Sequence, residues 1–139
     1  MHRIDAEFIA FDELPFSSLF RAVGVYVIWD ARQIARPSYI GEGDLLRRFA
    51  TEHASRFHAP IQGYAAILGN SGTRAHKRDA ELTELLLLQC AAVTDRYPTV
   101  NVAAHRLSLL DRATARLGTI RVALSGRDPF TPPWARAKY

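Results

Sequence analysis

A single cysteine, Cys90, among 139 residues excludes an internal disulfide framework, so stability must come from packing and hydrogen bonding. Its leucine and alanine neighbours make it a candidate for a small buried core residue. No stretch approaches the roughly 20 apolar residues of a membrane-spanning helix. Nor does the segment from Met1 to Phe16 have the unbroken apolar run of a secretory leader, because Asp5, Glu7, Asp12 and Glu13 interrupt it. Low-complexity segments and long blocks of like charge are also missing, which argues against disorder. Together these absences point to a reducing, cytoplasmic setting without a membrane partner.

What is present suits one globular unit. Apolar residues make up 48% and charged residues 23%, and a domain near this length buries roughly 68–70% of the surface of its unfolded chain. A single domain over residues 1–139 is expected. The formal charge of +4 and the pI of about 9.6 favour an anionic partner such as nucleic acid.

Along the chain, Ile4 to Phe11 reads as a short strand or extended arm, and Glu13 to Ala22 as a short helix or loop. Gly24 to Asp30 is a β-branched and aromatic run of strand length, and Ser38 to Gly41 is a second. The polar stretch between them makes the pair a β-hairpin with a loose loop. Glu42-Gly43 reads as a short turn into a helix over Asp44 to about Phe57, with Asp44 as its cap. Leu45, Leu46, Phe49 and His53 share one face of that helix. Gly63 to Leu68 is again strand, and Gly69 to Gly72 is a turn cluster. Lys77 to Val93 is the clearest helix. A further helix, about His105 to Leu117, leads to a strand over Thr119 to Leu124 and a tail with Pro129, Pro132 and Pro133.

The chemistry-bearing residues follow this order. Gly24-Val25-Tyr26 and Tyr39-Ile40-Gly41 each place a tyrosine near a glycine on neighbouring strands, with the order of the pair reversed. On the next helix Arg47 points away from the apolar face while Arg48 borders it. A guanidinium at Arg48 can contact two phosphate oxygens and stabilise the negative charge of a pentacovalent transition state. Glu84 interrupts the apolar sequence Leu82, Leu85, Leu86, Leu87, Leu88, and a carboxylate there needs a partner. Magnesium is often held by only one or two carboxylates together with water and substrate phosphate. The alternatives are a surface ion pair for Arg48, to Asp44 or Glu52, and a rim pair for Glu84 with Lys77 or Arg78.

In this order the residues resemble the GIY-YIG nuclease superfamily, found among homing endonucleases, excision-repair incision subunits and some restriction enzymes. The likeness runs from about Gly24 to Asn101, with valine standing where the first motif has isoleucine. It implies an α/β (α+β) fold in which helices flank a small mixed or antiparallel central sheet, with a core at about 22–103 and a C-terminal helix-strand extension at 104–139. It also implies hydrolysis of DNA phosphodiesters with Mg2+ or Mn2+, and a possible homodimer.

Carried over residue by residue, Glu84 would hold the divalent ion and Arg48 the phosphate. Tyr26 and Tyr39 would position or deprotonate the attacking water, and Gly41 would leave room for close approach. Asn101 fills the family's later asparagine position, across a longer gap than in compact relatives. His53 and His58 are candidate proton shuttles near the end of the arginine-bearing helix.

Arg47 and Lys77 are further candidate phosphate contacts, Lys77 within the basic stretch of Arg74, His76 and Arg78. His76 and His105 read as surface residues. Phe130, Trp134 and Tyr139 offer either base-stacking surfaces or packing groups for the tail. Two other functions remain open: a nucleic-acid-binding module with little or no turnover, and a toxin or interaction domain on the same scaffold.

Overall fold

The computed structural model describes residues 1–48, 62–93 and 107–134. Among these the chain forms a five-stranded mixed sheet and three α-helices: β1 His2–Ala10, β2 Ala22–Trp29, β3 Tyr39–Asp44, α1 Leu45–Arg47, β4 Gln62–Asn70, α2 Arg74–Val93, α3 Leu107–Leu117 and β5 Ile120–Gly126. Two 3-10 turns, Phe11–Glu13 and Phe16–Leu19, join β1 to β2.

The strand order is β3-β2-β4-β1-β5. β2 is antiparallel to both β3 and β4, β1 is antiparallel to β4, and β5 runs parallel to β1. β2 is buried along its whole length because both of its faces are covered. This is why it reads as an uninterrupted apolar run. β1 instead alternates, with Ile4, Ala6, Phe8 and Ala10 buried and Arg3, Asp5 and Glu7 exposed.

One face of the sheet carries Val25, Val27, Ile40, Tyr64 and Ala66, and α2 covers it through Leu87, Leu88 and Ala91. Burying a leucine of this kind is worth roughly 1.5–3 kcal/mol. The opposite face carries Tyr26, Ile28 and Ala65, packed with Leu19, Ala22 and Leu45 and flanked by Phe11, Leu14, Tyr39 and Leu46. The start of α1 therefore lies on the tyrosine face and α2 on the other.

Several boundaries differ from those expected. The segment 4–11, which reads as strand or arm, is strand, and it starts earlier, at His2, as β1 between β4 and β5. Glu42-Gly43 is no turn, since β3 continues through both to Asp44. The basic stretch from Arg74 to Arg78 belongs to the first turns of α2. The C-terminal extension is integral to the sheet, for β5 pairs with β1 from His2↔Ile120 to Phe8↔Gly126.

Cys90 is exposed, because the sheet-facing row of α2 runs through Ala80, Glu84, Leu87, Leu88 and Ala91 and leaves it outside. No helix among the described residues is long and apolar enough to cross a membrane.

Candidate functional site

Register decides which of the chemically capable side chains meet. Tyr26 of β2 lies opposite Gly41 of β3, and Ile28 lies opposite Tyr39. Tyr26, Tyr39, Gly41 and Gly43 therefore occupy one face of the hairpin, since alternate residues share a face. The Tyr26 and Tyr39 rings are stacked, with centroids 6.0 Å apart and planes inclined by 26°, within the usual range for aromatic pairs. Tyr26 is fully buried.

Gly41 permits this arrangement. A Cβ there would lie 2.5 Å from both the Tyr26 Oη and the Tyr39 Cε1, so the two rings occupy the space a side chain would take. The Tyr26 hydroxyl thus crosses Gly41 towards β3, which is an edge of the sheet.

Two residues further, Gly43 plays the same part for Arg48. Its φ of +132° is a conformation that side-chain-bearing residues rarely adopt, and a Cβ would lie 3.0 Å from the Arg48 Nε and 3.5 Å from its Nη2. The guanidinium folds back over the end of β3 because α1 begins immediately after the strand. Asp44 caps that start, its Oδ1 accepting a hydrogen bond from the Arg47 N–H at 3.1 Å. Arg48 is half-buried and Arg47 exposed, as the helical periodicity requires.

Same-face neighbours on a strand stand about 7 Å apart. The Tyr26 hydroxyl and the Arg48 guanidinium thus lie over successive glycines of the same strand face, one over Gly41 and the other over Gly43.

Glu84 stands elsewhere. It is 7% exposed, within the α2 row of Ala80, Leu87, Leu88 and Ala91 that packs on the sheet face opposite the tyrosines. β3 brings a second carboxylate to that side: Glu42 pairs with Val25 and shares its face. Reading Glu42-Gly43 as a turn hides this, whereas extending the two-residue period of Tyr39 and Gly41 reveals it. Among the described residues no cluster of three or more His, Cys, Asp or Glu side chains is placed to hold a metal. Glu84 and Glu42 are oxygen donors of the kind a hard divalent cation takes.

Of the remaining candidates, Lys77 is exposed on α2 and apart from the tyrosine face. His53, His58 and Asn101 lie outside the described residues, as do His105 and Tyr139. His76 is not a free surface group: its Nδ1 accepts a hydrogen bond from the Asn70 N–H at 2.9 Å and its ring lies over Gly69.

The tail aromatics pack inward. Phe130 and Trp134 rest on the α2-side core, and Trp134 meets Trp29 edge to face at 6.1 Å. The Trp29 Nε1–H donates to the Pro129 carbonyl at 3.0 Å, and the Tyr64 hydroxyl donates to the Thr131 carbonyl at 2.6 Å. Arg127 pairs with Glu13 at 3.0 Å.

No family model, no curated protein and no solved structure matches the chain.

Proposed function

We propose that this chain is a divalent-metal-dependent endonuclease that hydrolyses DNA phosphodiester bonds at a GIY-YIG-type site. The observation that carries this reading is the row along β3, where the hydroxyl of Tyr26 and the ring of Tyr39 meet over Gly41 and the Arg48 guanidinium lies over Gly43. Two phenols and a guanidinium, groups suited to positioning water and binding phosphate, are gathered over the two glycines of one strand.

In this reading Arg48 binds the scissile phosphate through its forked N–H groups and stabilises the charge that develops on it. Tyr26 and Tyr39 orient the attacking water, and stacking limits the freedom of both rings. Glu84 fits the role of cation ligand by its chemistry: it is a carboxylate, an oxygen donor of the kind a hard divalent cation takes, set 7% exposed in an apolar helix row. Glu84 and Glu42, on the same side of β3, would hold a divalent ion, whose chemistry would be Lewis-acid activation of a phosphate that reaches that side.

Glu84→Gln should abolish magnesium-dependent nicking of supercoiled plasmid while leaving the melting temperature within a few degrees of wild type. Nicking by Glu84→Gln at the wild-type rate would overturn the assignment of that carboxylate.

One observation favours a second reading, a nucleic-acid-binding module without turnover: Glu84 approaches the sheet from the face opposite Arg48 and the tyrosines. A pure binder would retard plasmid in a gel without converting it to open circles under any divalent cation.

A further inference from the structure

α3 rests on a side of α2 that the sheet does not use, and between the two helices lies a groove of about 260 Å3. Its apolar floor is made by Leu82, Leu85 and Leu117. Around this floor stand the guanidinium groups of Arg78, Arg112 and Arg116, faced by the single carboxylate of Glu81. Arg112 and Arg116 are four residues apart on a helix, so they project from the same face of α3.

Both are exposed, and among the described residues neither is joined in an ion pair. Arg78 is held by Asp79 at 3.3 Å, while its enclosed Nε finds no acceptor among the described residues. Like charges one turn apart repel, so Arg112 and Arg116, set against Glu81 with Arg78 already paired to Asp79, leave the groove with a positive surplus. A guanidinium fork matches phosphate oxygens in pairs. The leucine floor adds a second requirement, an apolar surface next to the anion. A polynucleotide backbone meets both, because sugar rings alternate with phosphates along it.

We propose that the α2–α3 groove is a sequence-independent clamp for the phosphodiester backbone of nucleic acid. Its place relative to cleavage rests on the nuclease reading. Leu85 of the floor directly follows Glu84, and Arg78 lies six residues before Glu84, about 9 Å along the helix axis. At 3.4 Å of rise per nucleotide in one strand, that is roughly two or three nucleotides. The groove thus lies level with the Glu84 segment of α2, on a side of the helix other than the sheet-facing row that carries Glu84.

The test is equilibrium binding of a fluorescein-labelled 30-base-pair duplex in EDTA across a potassium chloride series, so that no turnover is needed. Each lost phosphate contact lowers the slope of log K against log salt by about 0.9 for duplex DNA. Arg112→Gln/Arg116→Gln should therefore flatten the slope by up to about 1.8, with helical content and melting temperature unchanged. Arg112→Lys/Arg116→Lys should keep the slope. Arg121→Gln, which removes one positive charge at an exposed position of β5, should also leave it as in wild type.

A wild-type slope in the double glutamine variant, an equal loss in Arg121→Gln, or displacement of duplex by polyglutamate as readily as by unlabelled duplex would overturn the clamp. The two readings fail separately. A wild-type protein that never nicks but shows the predicted slope change refutes the nuclease and supports the clamp. A protein that nicks while the double variant keeps its slope refutes the clamp alone.

Discussion

Gly41→Ala is the smallest perturbation that reaches the proposed site without removing a functional group. Its added methyl would lie 2.5 Å from the Tyr26 Oη, 2.5 Å from the Tyr39 Cε1 and 2.6 Å from the Tyr26 Cζ. Carbon contacts are optimal at about 3.5–4.0 Å, so the rings must withdraw by about 1 Å or more. Neither can do so freely, because Tyr26 is fully buried and the two are stacked.

Overpacking of this kind typically costs about 1–3 kcal/mol. With an unfolding entropy of about 2.1 cal/mol/K per residue, that corresponds to roughly 3–10 °C in melting temperature for a chain of this length. Thermal unfolding by circular dichroism and plasmid nicking would be followed side by side. Removing the obstructing hydroxyl with Tyr26→Phe should recover part of the lost stability in the double variant, but no cleavage, since the phenol is itself part of the proposed site. The reasoning is refuted if Gly41→Ala melts with the wild type, or if its cost is the same with and without the Tyr26 hydroxyl.

Two further outcomes separate neighbouring residues or conditions. Arg48→Ala should lower the nicking rate by about 10²–10³-fold, the usual loss when one group that stabilises developing charge is removed. Arg47→Ala, exposed and one residue earlier, should change the rate by less than about threefold; initial nicking rates under magnesium decide the comparison. Asp30 has its carboxyl held down at about 2, from an ordinary 3.8, chiefly by hydrogen bonding to the Arg32 side chain and also to its backbone N–H. A depressed carboxyl contributes stability that is complete above the unfolded value and lost as pH falls through the folded one. The β2–β3 connection should therefore weaken between about pH 4 and pH 2. The effect is small because Arg32 is largely exposed and screened by solvent. Asp30→Asn should remove the acid-dependent component in that window, read from melting temperature against pH.

Local physics made part of this fold legible. The β-branched run of β2 and the Asp44 cap are properties of a few consecutive residues. So is the division of labour between exposed Arg47 and half-buried Arg48, which follows from 100° per residue. What the sequence leaves open depends on partners far along the chain. β1 reads as strand or extended arm until β4 and β5 flank it. Trp134 reads equally as stacking surface or packing group until Trp29, more than a hundred residues earlier, claims it. Cys90 sits in an apolar sequence but outside the row that meets the sheet. The end of β3 was missed for a different reason: Glu42-Gly43 has turn composition, and only the demand of a close-lying guanidinium explains why glycine continues a strand there.

The sheet order bears on how a functional site could be shared between two copies of the chain. Among the described residues β3 and β5 are the outermost strands, the positions at which a sheet is extended by a further strand. At β3 the tyrosine and arginine row stands on one face while Ile40 and Glu42 turn to the α2 face, so the outer edge of this strand is a line along which the two sides meet. A second chain pairing with β3 would cover that line and exclude a phosphodiester from Gly41 and Gly43. At β5 the same kind of pairing would leave the row open, because β2, β4 and β1 lie between. A homodimer compatible with the proposed chemistry must therefore form away from β3, whichever surface it uses.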